Sequence, residues 1–218
     1  MNMRNQNAKW QTLISLLVVS AFIVISGSGA KVVAQQMSDM PYDLHFIDMM
    51  IMHHQEGIEM AELAQTKAQS AKVKAFATKT AADQKKDIDE LQSHRKHWYA
   101  DKPIMDHSTM QSMMQKMHPD MKMDMEDTRR RLRATNGAAF DRLFLDTMIH
   151  HHMMGVDMAK EATTKVEHNE IKEFAQKTVT KQTAEITEMN GLKGAPKTAT
   201  KARAKAKPRP KTTSTHKH

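Results

Sequence analysis

The sequence predicts an all-α protein: an antiparallel four-helix bundle made of two repeated helical hairpins joined by a long Met-rich connection. Three observations carry this. Seven Gly and six Pro in 218 residues are too few to punctuate many short strands with tight turns. Shifting the chain by 98 residues aligns 42–91 with 140–189, with 21 of 50 positions identical and no gap. In both copies apolar residues recur three and four apart, the period of one helix face.

The elements follow in order. Residues 1–34 have the form of a secretory signal peptide: Arg4 and Lys9 lead an apolar stretch from Leu13 to Ile25, and Val32-Val33-Ala34 offers a cleavage site before Gln35. That stretch is shorter than the roughly 20 apolar residues that cross a bilayer. The folded domain is expected over 35–190. Its first helix reads YDLHFIDMMIMHHQEGIEMAELA and returns as FDRLFLDTMIHHHMMGVDMAKEA. Asp39 before Pro41 is a start signal for one copy, and Asn136 with Gly137 for the other. The second helix keeps Phe76-Ala77, Lys79-Thr80, Gln84 and Ile88 as Phe174-Ala175, Lys177-Thr178, Gln182 and Ile186. The connection, about 93–139, is too long for a tight loop and should carry helix of its own. Gly191 should stop the last helix, leaving 191–218 as a disordered basic tail.

The formal charge of +8 invites a nucleic-acid partner, but nine Lys and Arg and no Asp or Glu lie in the tail. Residues 35–190 carry 21 basic against 25 acidic side chains. With an export signal in front, DNA is out of reach, so no nucleic-acid partner is expected, and the tail would touch anionic envelope surfaces instead. The expected location is periplasmic or extracellular.

The unusual feature is 21 Met beside no Cys. The absence of Cys excludes disulfides, Cys zinc sites, iron–sulfur clusters and thiol nucleophiles. On the first helix, 100° steps place Tyr42, Phe46, Ile47, Met50, Ile51, Gly57, Ile58, Met60, Ala61 and Ala64 on a core arc. Asp43, His53 and His54 fall within it, as do Asp141, His151 and His152 in the second copy. A buried Asp or His must be paired or bound. Two readings stay open: Asp43 hydrogen-bonds an imidazole across the bundle and orients the repeats, or these groups belong to a metal site. Met50, Met60, Met148 and Met158 also lie on the arc, as core fillers or as thioethers near the paired His.

Outside the arc run His45, Met49, Met52 and Glu56, with His150, Met153 and Met154 in the second copy; core packing within the bundle does not account for these Met, which either bind metal, the leading reading, or in part cover apolar surface under the long connection. The connection carries the densest signal. Met105, His107, Met110, Met113, Met114, Met117, His118, Met121, Met123 and Met125 make ten Met or His in 21 residues, with no Leu, Ile, Val or Phe among them. A core stripe would use mixed aliphatics, so ligand supply is the better reading.

Uncharged sulfur and imidazole select a soft, low-charge ion, which in biology is Cu(I), with Ag(I) as its mimic; several ions are expected. Calcium and magnesium want hard oxygen, and zinc rarely takes thioether. A di-iron bundle would place Glu where Met50 and Met148 stand before His53 and His151. Imidazoles near their ordinary pKa of about 6.5 should lose copper to protons in acid, whereas thioethers should not.

The motifs Phe46-x3-Met50-Ile51-x-His53-His54 and Phe144-x3-Met148-Ile149-x-His151-His152 resemble a duplicated ferritin-like domain of unknown function found in exported bacterial proteins. With the leader and the Met-rich connection, the chain is similar to the periplasmic copper-binding members of cyanobacterial copper-resistance systems. The resemblance covers roughly 40–190 and implies a ferritin-like fold, periplasmic Cu(I) binding and protection against excess copper. The leading expectation is therefore a non-enzymatic copper buffer or carrier that hands copper to an exporter or its periplasmic component. The rival is a metal-dependent oxidase using an Asp/His site within the bundle.

Overall fold

The computed structural model describes residues 40–117 and 124–194, except the side chains of Gln111, Met113, Met114, Gln115 and Met117. The expected leader and its cleavage site, the tail from 195 onward, and His118, Met121 and Met123 lie outside the described residues.

Among the described residues the elements are helices: α1 Tyr42–Lys67, α2 Ala71–Tyr99, α3 His107–Met117, α4 Met125–Ala134, α5 Gly137–Lys165 and α6 Asn169–Gly194. None is long and apolar enough to cross a membrane. The all-α bundle expected from the repeat is present. α1 folds back on α2 and α5 on α6, and the two hairpins join chiefly where α1 crosses α5 antiparallel. His53 there meets His151 near mid-helix, while Lys165 near the end of α5 sits 5.3 Å over the Tyr42 ring at the start of α1.

Local chemistry explains the boundaries. Ser70 caps α2 by accepting from Val73 N–H, and Asp124 caps α4 through Asp127 N–H at 2.9 Å. Asp106 accepts from Thr109 N–H at 3.0 Å and from the Ser108 and Thr109 hydroxyls, so the connection starts α3 where the chain leaves α2. Gly137 opens α5 at φ 62°, a left-handed conformation that suits glycine. Gly191 does not stop α6, contrary to expectation. The helix continues to Gly194 because Leu192 still packs against the core, and the burial of one more turn outweighs the glycine.

One apolar cluster gathers Met60, Ala61, Ala64 and Ala68 of the first hairpin with Phe76, Phe140, Phe144, Met148 and Met189. Met125 and Leu132 of α4 close it from outside, so the connection covers the bundle. Toward the other end of α1, Phe46 meets Phe174 edge-on at 6.4 Å. Between them lies a polar layer.

The buried aspartates tie the hairpins together. Asp43 of α1 accepts from the backbone N–H groups of Glu167 and His168, at 2.8 and 2.9 Å, and from His168 Nδ1 at 2.7 Å. Asp141 of α5 does the same for Gln69 and Ser70, at 2.8 and 2.9 Å. Each repeat thus caps the second helix of the other. Of the two readings of Asp43, the orienting hydrogen bond to an imidazole is the one the geometry favours.

Candidate metal centre

The polar layer is built from the pair His53-His54 on α1 and its counterpart His151-His152 on α5, all four with no exposed surface. Mid-helix placement on the core arc gives adjacent His two directions 100° apart. His53 points across the bundle: its ring stacks on His151, with centroids 3.7 Å apart, and its Nε2–H donates to the His151 carbonyl at 2.8 Å. His54 and His152 point back within their own hairpins. His152 Nε2–H donates to Glu185 at 2.8 Å, and His54 Nε2 lies 3.4 Å from Asp87. Asp87 and Glu185 are 98 positions apart, so the repeat carries the acid as well as the histidines.

Carbonyl and carboxylate oxygens only accept, so the hydrogen bonds of His53 and His152 place a proton on Nε2 and turn Nδ1 away from those partners. Among the described residues, Nδ1 of all four histidines is buried without a hydrogen-bond partner, as are Nε2 of His54 and His151, both amide atoms of Gln84, Gln182 Oε1, Glu185 Oε1 and Thr80 Oγ1. Each such group costs on the order of 1–3 kcal/mol, a penalty that a bound ion would relieve for the imidazoles. Met50 and Met148, fully buried, stand one turn before His53 and His151. A carboxylate behind an imidazole fixes its ring and raises its basicity as a ligand.

Charge is balanced from outside. Lys181 of α6 donates to Asp87 at 2.8 Å, and Lys79 of α2 lies 3.5 Å from Glu185, so each lysine reaches across to the other hairpin. Burial pushes both carboxyls up, but the hydrogen bonds from His54 and Lys181, and from His152, outweigh it and hold both below the usual range. Burial drives His53 and His151 well below the ordinary imidazole pKa, helped by the neighbouring histidines, and lowers His54 also. A charge on His53 or His151 would be unsolvated, so proton competition for their nitrogens belongs to lower pH than an ordinary imidazole would give.

Among the described residues no three His, Asp or Glu side chains are placed to hold one ion together. Zinc and iron prefer such sets. Imidazole lone pairs with adjacent thioethers suit a soft ion of low coordination number.

The other expected ligands separate by environment. Met60, Met125 and Met148 belong to the apolar core, and Met158 is buried. The face carrying Met49, Met52 and Glu56 was expected to lie outside the core, and that is overturned: they are 3%, 1% and 5% exposed. α3 and α4 both pack against α1, so the geometry favours the alternative that the connection covers this face. Met110 of α3 is buried too, while His107 reaches Glu56 Oε1 at 3.6 Å. Burial raises the Glu56 carboxyl to about 7, against the opposing pull of Arg129. In the second copy Met154 is buried, Met153 is exposed and His150 lies between; His45 and Met105 are half-buried.

Residues 43–193 match the family described as a domain of unknown function, DUF305. The chain belongs to the DUF305 family. Among solved structures it is similar to CopM in the Cu(I)-bound form, at 31% identity and a TM-score of 0.56, over 69% of this chain and 94% of that one. Against CopM in the Cu(II)-bound form the identity is 30% and the TM-score 0.56, over 70% and 97%. A DUF305 protein of Streptomyces coelicolor, at 24% identity and a TM-score of 0.61 over 70% and 91%, shares the fold. No curated protein matches.

In this DUF305 chain, sequence reasoning missed Asp87, Glu185 and the roles of Gln84 and Gln182. The repeat held the signal: Gln recurs at the same place in both copies, and an acid three residues later recurs as Asp and Glu.

Proposed function

We propose that this protein binds Cu(I), with Ag(I) as its mimic, in the polar layer between its repeats, and buffers or carries copper outside the cytoplasm as part of copper resistance. The observation that carries the reading is the set of buried imidazoles with unpartnered Nδ1 atoms beside fully buried methionines. Such a layer is costly for a bundle to keep without an ion. The similarity to CopM structures holding Cu(I) and silver supports the same ion class. The chain's own part is to present nitrogen and sulfur, orient His54 and His152 through Asp87 and Glu185, and exclude water.

The methionines of the connection supply further thioethers, and a copper exporter or its periplasmic component is the natural recipient. We read the protein as a binder rather than an oxidase, because the donors of the polar layer favour the lower oxidation state of copper. Anaerobic titration of the purified chain with Cu(I) against a competing chelator tests this. Changing His53, His54, His151 and His152 to Gln should abolish the tightest binding. Unchanged stoichiometry and affinity would remove the polar layer from copper binding.

A further inference from the structure

A different donor set lies at the seam between α1 and α3. Glu56 is 5% exposed, yet unlike Asp43, Asp48, Asp87 and Glu185 it accepts no hydrogen bond from the described residues; its ion-pair partner among them is His107 Nε2 at 3.6 Å. The cations and acids nearby are engaged. Arg129 is bonded to Glu59 at 2.8 Å, and Asp106 is consumed in capping α3. One helical turn from Glu56 stands Met52, and one turn from His107 stands Met110, both buried. The His107 side chain is 53% exposed, so the seam opens to solvent on that side.

We infer that Glu56 and His107 form a second metal site, for Cu(II), with the Met52 and Met110 thioethers beside it. Carboxylate oxygen and imidazole nitrogen, completed by water on the open side, are the donors that tetragonal Cu(II) takes. The Irving–Williams order then favours copper over zinc at the same ligands. The carboxylate also offsets part of the dipositive charge. In the buried layer the two carboxylates are already balanced by Lys181 and Lys79, and a divalent ion there would suffer a larger desolvation cost than Cu(I). The two sites thus divide the oxidation states by charge and exposure. This rests on reading the chain as a copper binder.

The test titrates Cu(II), in air and without reductant, into the full chain and follows electron paramagnetic resonance. Wild type should give a mixed nitrogen and oxygen signal that Glu56→Gln and His107→Gln each weaken by roughly tenfold or more in affinity. Glu56→Gln keeps the side-chain shape and removes a buried charge, so helicity by circular dichroism should be unchanged. Anaerobic Cu(I) binding at the polar layer should persist in both variants. If both variants keep the wild-type signal and affinity, the seam site is overturned while Cu(I) binding stands. If the variants lose Cu(II) but wild type takes no Cu(I), the seam stands and the polar-layer reading fails.

Discussion

Two glycines decide how closely the helices of each hairpin can approach, and one of them also how closely the repeats do. Gly57 and Gly155 occupy equivalent positions on α1 and α5, and a side chain at either would run into the amide of Gln84 or Gln182. At Gly155 it would also come 2.7 Å from the His53 ring. The amide is the far end of a flexible side chain and can move; the ring, stacked on His151, cannot. Gly155→Ala should therefore cost about 1–3 kcal/mol through overpacking. Gly57→Ala should stay within about 1 kcal/mol of wild type, since its better helix propensity offsets the displaced amide. Urea unfolding of both variants measures the contrast. Equal losses would mean that His53 yields as readily as a glutamine.

At the scale of the element, each second helix is started by the repeat that does not contain it. Asp43 is 1% exposed and serves two backbone donors and His168, whereas Asp141 is half-buried and serves two backbone donors. Removing a capping acid costs about 0.5–2 kcal/mol, and stranding buried donors adds about 1–3. Asp43→Ala should destabilise by about 2–3 kcal/mol and Asp141→Ala by about 1. Differential scanning calorimetry would reverse the assignment if Asp141→Ala proved the worse variant. Arg95 fixes the far end of α2 in a related way, holding Asp48 at 2.6 Å and the Pro103 carbonyl at 3.0 Å, which directs the chain into α3.

Across the whole molecule, opposite titrations shape stability in the metal-free state. His53 and His151 have folded pKa values far below the unfolded value of about 6.5. Below that pH the unfolded chain takes protons that the native layer refuses, so stability falls as pH drops. The slope approaches about 1.4 kcal/mol per pH unit for each such histidine. Glu56 acts the other way: its folded pKa of about 7 exceeds the ordinary 4.5, so its contribution is complete below 4.5 and is lost as pH rises through 7. Thermal melts in a chelator should show a stability maximum between these limits. Glu56→Gln should raise the melting temperature at pH 8 and leave it nearly unchanged at pH 4.5. A flat profile on the acid side would mean that the histidines take up protons within the fold.

The sequence by itself determined the helical class, the two hairpins and the residues of the polar layer, because a gapless repeat with apolar spacing and paired His states all three in local terms. It also placed Asp43 correctly within the core and offered its true role as one of two readings. Tertiary structure decided what periodicity cannot hold. Met49 and Met52 fall outside the apolar arc of α1, which left ligand supply and a face covered by the connection both open, and only the packing of α3 and α4 against α1 decides that they are buried. The same reason hid Asp87 and Glu185: on their own helix they are ordinary acids, and they become partners of His54 and His152 only when the hairpin closes. Gly191 was misread because a local stop signal is weaker than the burial that continues past it through Leu192. Periodicity reports which side of a helix is apolar; what lies against the other side is settled by long-range packing.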